Sequence, residues 1–330
     1  MGGGWVRVGV VGPSGPDEFA PNICDALNRM SHKAVWLGAA SPSGGRFSRI
    51  SSLARQAFPR LDELAQLDIA RKALDAACDV VINIDVSLMP VVVTRLRQGG
   101  VRTAFWFPDS VTNIGRQLML LSSYDALFFK EPHLVDRLRA MLDLNVFYLP
   151  EACNPRWHRP VGPAAVEPTL VVAGNMYPSR VRLLERLIAK GIPLTLYGPG
   201  FPRWTGDTPA RDRHTRRCVF GEEKARVFRS AAGVLNALHP AEIVGVNARL
   251  FEAAGSGAAV LAEFRPSLPD LFELGHEVLT FRDFDELVDQ ATRLLNEPGL
   301  TARLGDAAAR RAHRDHTYEL RIEAILEKLS

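Results

Sequence analysis

The residues with the clearest chemical pattern lie at 246–257, where the sequence reads VNARLFEAAGSG before an apolar stretch. Asn247 is a natural N-cap for a helix, and Arg249 falls in the first turn, where a cation opposes the helix dipole unless an anion lies nearby. Glu252 follows Arg249 by one turn, so both side chains can share a helix face. A guanidinium at a helix N-terminus suits a diphosphate, and a carboxylate one turn further suits ribose hydroxyls. A solvated surface ion pair is the alternative.

Three aspartates that follow predicted strands are candidates for a general base. Asp109 comes after the strand that ends in FWFP, Asp85 follows another strand, and Asp17 follows the glycine-rich turn at 9–15. Such a carboxylate can take a proton from an acceptor hydroxyl, and Asp109 is the first choice because its loop should border a cleft. The turn reads GVVGPSG and lacks the GxGxxG dinucleotide pattern, but its glycines allow an anion or a sugar to approach. Helix capping is the alternative role for each aspartate.

Alternating strand and helix patterns must position these residues. In the first half, strand patterns at 6–11, 34–37, 79–84, 102–107, 127–129 and 146–149 alternate with helical patterns at 17–30, 61–77 and 89–98. In the second half, strand patterns lie at 169–173, 194–197, 233–237 and 259–262, and helical patterns at 180–190, 222–230, 247–254, 283–296, 300–314 and 318–329. Strands separated by helices predict parallel sheets that are covered on both faces and bind ligands at the carboxyl ends of their strands.

A cluster of prolines and a glycine separates the two halves, at Pro155, Pro160, Gly162, Pro163 and Pro168. Such a cluster is typical of an interdomain linker. We therefore predict an α/β fold with two doubly wound, Rossmann-like domains that face a cleft, at residues 1–155 and 168–312. Residues 313–330, which contain the last helical pattern, form a separate C-terminal segment.

Composition excludes several classes of protein. The 330 residues are 47% hydrophobic and 23% charged, with a net charge of +3, which is ordinary for a globular chain and too small a charge to argue for nucleic acid. No apolar run approaches the roughly 18 residues of a membrane span. The four cysteines are scattered without a metal-binding spacing, which favours a reducing compartment, and we expect a cytoplasmic protein. The arginines at 203–217 are interpreted as a solvated loop, with contact to an anionic acceptor as the alternative.

The second half resembles the CgeB-like (spore maturation protein) glycosyltransferase family. The segments that carry this resemblance are VAGNMYPSR at 172–180, LYGPG at 196–200, LNALH at 235–239, GVNARLFEAAGSG at 245–257, FRPSLPDLF at 264–272, FDEL at 284–287 and HTY at 316–318. Their order and spacing over some 150 residues make the match specific. The first half is similar to the family only in general terms, apart from YLPEACNP at 148–155.

The resemblance implies the two-domain GT-B fold, with a donor site for a nucleotide-diphosphate sugar, UDP-linked, in the second domain. It implies an acceptor site in the first domain and a C-terminal helix that packs back on that domain. The positions it assigns to the donor are Asn175, Tyr177 and Arg180 in a loop, Tyr197 and Gly198 by the base, His239, Asn247 and Arg249 at the diphosphate, and Glu252 at the ribose. Lys224 is a further phosphate candidate, with a solvated helix lysine as the alternative.

Glycosyl transfer requires that the departing diphosphate be stabilised, and we expect arginines and helix termini to do this without a metal ion or other cofactor. Many retaining enzymes of this fold carry a second glutamate before the ribose glutamate, with seven residues between the two, but that position is Val244 here. Retention or inversion therefore stays open. The acceptor is unidentified: a small molecule or glycan is favoured, and a nucleic acid or protein is the alternative. The alternative functions are a nucleotide-sugar epimerase of the same fold and a non-catalytic protein that binds sugar nucleotides or DNA.

Overall fold

A computed structural model describes residues 5–40 and 59–330 of the chain. The chain forms two compact units, Met1–Pro150 with Tyr318–Ser330, and Glu151–Thr317. The predicted domains, 1–155, 168–312 and 313–330, stay predictions, and the division by contacts places the prolines predicted as a linker within the second unit. The part of the predicted first domain at 1–4 and 41–58 lies outside the described residues.

The first unit is built on a six-stranded parallel sheet in the order β2-β1-β3-β4-β5-β6. Its strands are β1 (Arg7–Val11), β2 (Lys33–Gly38), β3 (Val80–Asn83), β4 (Arg102–Phe107), β5 (Ala126–Phe129) and β6 (Val146–Tyr148). Its helices are α1 (Phe19–Arg29), α2 (Pro59–Asp75), α3 (Pro90–Gln98) and α4 (Pro132–Leu142), with short 3-10 turns at Val111–Asn113 and Leu118–Leu121. The continuous apolar runs of β1, β3 and β4 are buried on both faces, as parallel strands require.

The C-terminal helix α11 (Tyr318–Lys328) packs on the first unit, as predicted. The ring of Tyr318 lies 5.6 Å from that of Phe19 and 6.0 Å from that of the fully buried Trp106. Arg29 on α1 forms a 2.7 Å ion pair with Glu319. Aromatic burial contributes most to such a contact, because an ion pair of this exposure adds at most about 1 kcal/mol.

The second unit is built on a five-stranded parallel sheet in the order β11-β10-β9-β7-β8. Its strands are β7 (Glu167–Ala173), β8 (Leu194–Tyr197), β9 (Ala231–Asn236), β10 (Val260–Glu263) and β11 (Val278–Phe281). Its helices are α5 (Pro178–Ala189), α6 (Gly221–Ser230), α7 (Ala248–Gly255), α8 (Leu268–Leu271), α9 (Phe284–Asn296) and α10 (Pro298–Asp315), with 3-10 turns at Arg203–Thr205 and Pro209–Arg213.

Two apolar layers cover the faces of this second sheet. One layer joins α5 and α9 through residues such as Leu184 and Leu287, and the other joins α6 and α7 through residues such as Phe228 and Leu250. From β7 the chain first adds β8 on one side and then adds β9, β10 and β11 on the other side, so the sheet has a topological switch point between β7 and β9. Ligands of doubly wound sheets bind in the crevice at the carboxyl ends of the strands at such a point.

Candidate functional site

Two loops flank the switch point of the second unit, and a buried arginine ties them together. Arg180, in the first turn of α5, donates from Nη1 to the carbonyl oxygen of Asn175 (2.8 Å) and from Nη2 to that of Ala237 (2.9 Å). The hydroxyl of Tyr177 donates to the same Ala237 oxygen (3.1 Å), and the Tyr177 ring lies 4.4 Å from the Arg180 guanidinium. Burial raises the pKa of Tyr177, which keeps this hydroxyl a donor at neutral pH.

A pair of glycines allows the backbones after β7 and β8 to touch. A Cβ atom on Gly198 would lie 2.4 Å from the carbonyl oxygen of Gly174, and Gly198 also has a φ of +137° that favours glycine. The amide of Gly174 donates to the carbonyl oxygen of Tyr197 at 2.9 Å. Tyr197 is half-buried at the end of β8. The sequence placed Tyr197 and Gly198 by a nucleotide base, and they lie next to the loop that Arg180 supports.

Helix α7 begins beside the same crevice. Asn247 occupies its N-cap position with an extended backbone, as predicted, but its side chain makes no capping hydrogen bond. The Oδ1 atom of Asn247 is buried, as is the Oδ1 atom of Asn236, a buried residue at the carboxyl end of β9. Within residues 5–40 and 59–330, neither of these two oxygens has a hydrogen-bond partner. Sequence reasoning missed Asn236, although a polar residue that ends an apolar strand is a signal for a site in such a sheet.

Glu252 is held between two cations. Its Oε1 lies 3.0 Å from the Lys224 ammonium, and its Oε2 lies 2.9 Å from Nη1 of Arg249. Lys224 is 2% exposed and Glu252 is 8% exposed. Burial alone would raise the pKa of the Glu252 carboxyl, but the charges of Lys224 and Arg249, together with His158, lower it well below its usual range. Arg249 and Glu252 thus share a helix face, and the i,i+3 ion pair that was the alternative is present, but it is largely buried rather than solvated.

Two guanidinium groups converge beside Gly174. A Cβ atom at this position would lie 3.3 Å from Nη1 of Arg180 and 3.5 Å from Nη2 of Arg249. Burial lowers the pKa of Arg180, and the like charge of Arg249 adds to that effect. Because Gly174 has no side chain, both guanidiniums adjoin open backbone at the carboxyl end of β7. An anion at this point would offset their repulsion, and Arg donors match phosphate oxygens well.

His239 follows β9 on the same edge of the sheet. Its Nδ1 accepts a 3.2 Å hydrogen bond from the amide of Ala241, and its ring packs edge-on against Tyr177 with centroids 5.0 Å apart. With Nδ1 acting as an acceptor, a neutral imidazole carries its proton on Nε2. This half-buried ring therefore presents a hydrogen-bond donor, which is the form that suits a phosphate oxygen.

In the first unit, Asp85 holds backbone together at the end of β3. It is largely buried and accepts hydrogen bonds of 2.9 Å from the amides of Ala40 and Ser87. Asn83 adds to this turn by accepting from the Asp85 amide at 2.9 Å and donating to the Tyr124 hydroxyl at 2.7 Å. These contacts fix the ends of β2 and β3 relative to each other.

Asp109 and Asp17 lie in turns that follow strands of the same sheet. Asp109 is exposed after β4 and accepts 2.7 Å hydrogen bonds from the amide of Ser110 and the side-chain amide of Asn113. Asp17 is half-buried in the turn before α1, with a left-handed φ of +60°. Asp109 thus holds its own turn rather than capping a helix, because its partners are the adjacent amide and a side chain, and its exposure leaves it accessible to a substrate.

Metal ligands and membrane spans can be addressed only for residues 5–40 and 59–330. Within them, no three His, Cys, Asp or Glu side chains are arranged to hold a metal ion. None of the helices in these ranges has the length and the apolar character needed to cross a bilayer.

Residues 180–327 match a family model described as glycosyl transferase-like, which covers a little under half of the chain. The matched segment begins at Arg180 and contains α6 and α7 with Lys224, Arg249 and Glu252. No curated protein matches the chain in sequence.

Solved glycosyltransferase structures share the fold over nearly the whole chain. Sucrose-phosphate synthase from Thermosynechococcus elongatus is similar with a TM-score of 0.68 at 13% identity, over 98% of this chain and 99% of that one. HepE from Anabaena, in complex with UDP-glucose, has a TM-score of 0.66 at 14% identity, over 98% and 99%. AviGT4, a glycosyltransferase involved in avilamycin A biosynthesis, has a TM-score of 0.62 at 19% identity, over 98% and 97%. The predicted GT-B fold is confirmed, and the family match supports the predicted enzyme class, a glycosyltransferase.

Proposed function

We propose that this protein is a glycosyltransferase that moves a sugar from UDP to a hydroxyl of an acceptor, without a metal ion. The observation that carries the proposal is the convergence of the Arg180 and Arg249 guanidiniums beside Gly174, at the switch point of the second sheet. Two cations at the carboxyl end of a strand, next to the start of α7, provide the charge that a departing diphosphate requires. The resemblance to the CgeB-like family is part of this proposal.

In the proposed complex, Arg180 and Arg249 donate to the diphosphate, with Nε2 of His239 and the first turn of α7 as further donors. Glu252 faces the ribose hydroxyls and also orients Arg249, to which it is already bonded. Lys224 contributes mainly by keeping the Glu252 carboxylate charged, which is a narrower role than direct phosphate binding.

The remaining donor contacts follow the loops after β7 and β8. The exposed Asn175 and the ring of Tyr177 line the loop in which Arg180 is anchored. Tyr197 and Gly198 lie next to this loop, and we assign them to the nucleotide base. The UDP-glucose in the HepE structure supports a UDP-linked donor for a chain of this fold. The first unit then binds the acceptor, and we place the reaction in the cytoplasm.

Transfer needs a base if the enzyme inverts the anomeric centre. Asp109 and Asp85 each accept two hydrogen bonds, but Asp109 is our first candidate because it is exposed at the carboxyl end of β4, whereas Asp85 is largely buried. Asp17 is the third. An exposed carboxylate can come within hydrogen-bond distance of an acceptor hydroxyl and take its proton. The departing UDP needs no protein acid in this scheme, since the two arginines stabilise its charge.

Calorimetric titration of UDP into the wild type and three variants tests the donor site. Arg249→Ala and Glu252→Ala remove one charged contact each, worth about 1.5–3 kcal/mol, so UDP affinity should fall by roughly 10- to 150-fold. Arg182→Ala is the matched control, because Arg182 is an exposed arginine of α5 that pairs with Glu185 away from the crevice. Unchanged UDP affinity in both site variants would overturn the assignment.

A further inference from the structure

A second cavity, of about 310 Å³, lies at the carboxyl ends of β9, β10 and β11. It lies at the start of α5 and α9, which cover the sheet face opposite to that of α6 and α7. Among the described residues that line it, Arg180 is the one shared with the proposed donor site. Its volume is at the small end of the range for small-molecule sites.

Two further arginines of this cavity are presented on aromatic rings. The Arg186 guanidinium lies 3.6 Å from the ring centroid of Phe284, and that of Arg282 lies 4.1 Å from the centroid of Phe264. Within the described part of the chain, neither arginine forms an ion pair. Stacking holds a guanidinium by its face, so that the N–H groups in its plane stay available to an acceptor.

The carboxylates that face the cavity are already engaged. Glu263 accepts from the amide of Leu238 (2.9 Å) and pairs with Arg265 (2.9 Å). Asp283 caps α9 by accepting from the amide of Glu286 at 2.9 Å. Three arginines and two carboxylates line the cavity, and one of these carboxylates also pairs with Arg265, so the lining has a net positive formal charge.

The start of α5 adds further donors to the cavity. Ser179 and Arg180 line the cavity in the first turn of this twelve-residue helix, whose N-cap residue Tyr177 makes no side-chain capping bond. Arg180 is 9% exposed, and within residues 5–40 and 59–330 its Nε–H has no hydrogen-bond partner. A buried donor of this kind is costly unless a ligand satisfies it.

We propose that this cavity binds the phosphate group of a small phosphorylated molecule, between Arg186, Arg282 and the start of α5. Phosphate oxygens match the in-plane donors of arginine and the amides of a helix N-terminus, and both line this cavity. The ligand is distinct from the sugar donor, whose diphosphate is assigned to the opposite side of Arg180. Because Arg180 contacts both places, phosphate in the cavity would also offset part of its repulsion with Arg249.

Titration of inorganic phosphate and of glycerol phosphate, at constant ionic strength and with saturating UDP present, tests this proposal. UDP fills the donor crevice, so the calorimetric signal then reports on the second cavity. Wild type should bind both compounds saturably. The double variant Arg186→Gln/Arg282→Gln should bind them at least about tenfold more weakly, since charged hydrogen bonds are lost, with UDP affinity unchanged within about twofold. Arg182→Gln, on the same helix but outside the cavity, should match the wild type.

Three results would overturn the proposal: no binding of either phosphate by the wild type, equal weakening in Arg182→Gln and the double variant, or complete loss of phosphate binding on saturation with UDP. A thermal melt of each variant confirms that it is folded. Failure of the proposed donor site is seen separately, as absence of UDP binding by the wild type. In that event the same comparison of variants is made without UDP.

Discussion

Neutralising Glu252 without changing its shape should destabilise the second unit strongly. In Glu252→Gln the carboxylate between Lys224 and Arg249 becomes a neutral amide, and the Lys224 ammonium is left 2% exposed without its anionic partner. Arg249 has a side chain that is 26% exposed and can turn to water. Breaking a buried pair by removing one member costs about 3–5 kcal/mol, because the remaining charge stays desolvated.

Denaturant and thermal unfolding measure this cost. At roughly 2–4 °C per kcal/mol for a domain of this size, the melting temperature should fall by about 6–20 °C. The control Glu223→Gln removes an exposed carboxylate of the same helix as Lys224, which pairs with Arg217, and should cost at most about 1 kcal/mol. Adding Lys224→Met to Glu252→Gln removes the stranded ammonium and should recover most of the loss.

Two outcomes would refute this reasoning. The first is a Glu252→Gln variant with the same melting temperature as the Glu223→Gln control. The second is a Glu252→Gln/Lys224→Met double variant that is less stable than Glu252→Gln alone. The pH dependence gives a further check. Because folding lowers the pKa of Glu252, its stabilisation is complete above the unfolded value of about 4.3 and is lost as the pH falls through the folded value. The difference between wild type and Glu252→Gln should therefore be constant from pH 6 to 8 and shrink in acid.

Three other changes have expected outcomes. Gly198→Ala places a Cβ 2.4 Å from a backbone oxygen at a φ of +137°, so it should lower the free energy of unfolding by about 1–3 kcal/mol and weaken UDP binding. Gly200→Ala, which has open space around it, should change neither quantity, as thermal unfolding and calorimetry would show. Tyr318→Ala should lower the free energy of unfolding by about 3–5 kcal/mol and speed amide hydrogen exchange in α11. Exchange as slow as in the wild type would contradict the packing of α11 on the first unit. Asp109→Asn should slow transfer by about 10²- to 10⁴-fold with UDP affinity unchanged; an unaltered rate would exclude Asp109 as the base.

The sequence predicted the parallel sheets and the helix at 247–254 because apolar period and turn residues are local signals. Arg102–Phe107 and Leu194–Tyr197 begin and end where the pattern predicted. Helix α4 (Pro132–Leu142) and strand β11 (Val278–Phe281) were not predicted. The place of β11 in the sheet is set by its pairing with β10, which is a contact between segments distant in sequence.

The arrangement of the site depends on contacts that no local pattern contains. Lys224 was interpreted as a solvated lysine or a phosphate ligand, but it meets Glu252 from another helix, so only the packing of α6 on α7 identifies the pair. Neither Arg186 nor Arg282 was singled out from the sequence, and they line one cavity because α5 meets the start of α9, where Arg186 stacks on Phe284. The roles assigned to the donor residues and to the three aspartates stay predictions.

Crystals soaked with UDP test the central claim most directly, because they locate the diphosphate. We predict density at the switch point of the second sheet, with phosphate oxygens within hydrogen-bond distance of Arg180 and Arg249 and the ribose next to Glu252. Density for UDP at any other place in the second unit, or none at concentrations that saturate binding in solution, would contradict the account.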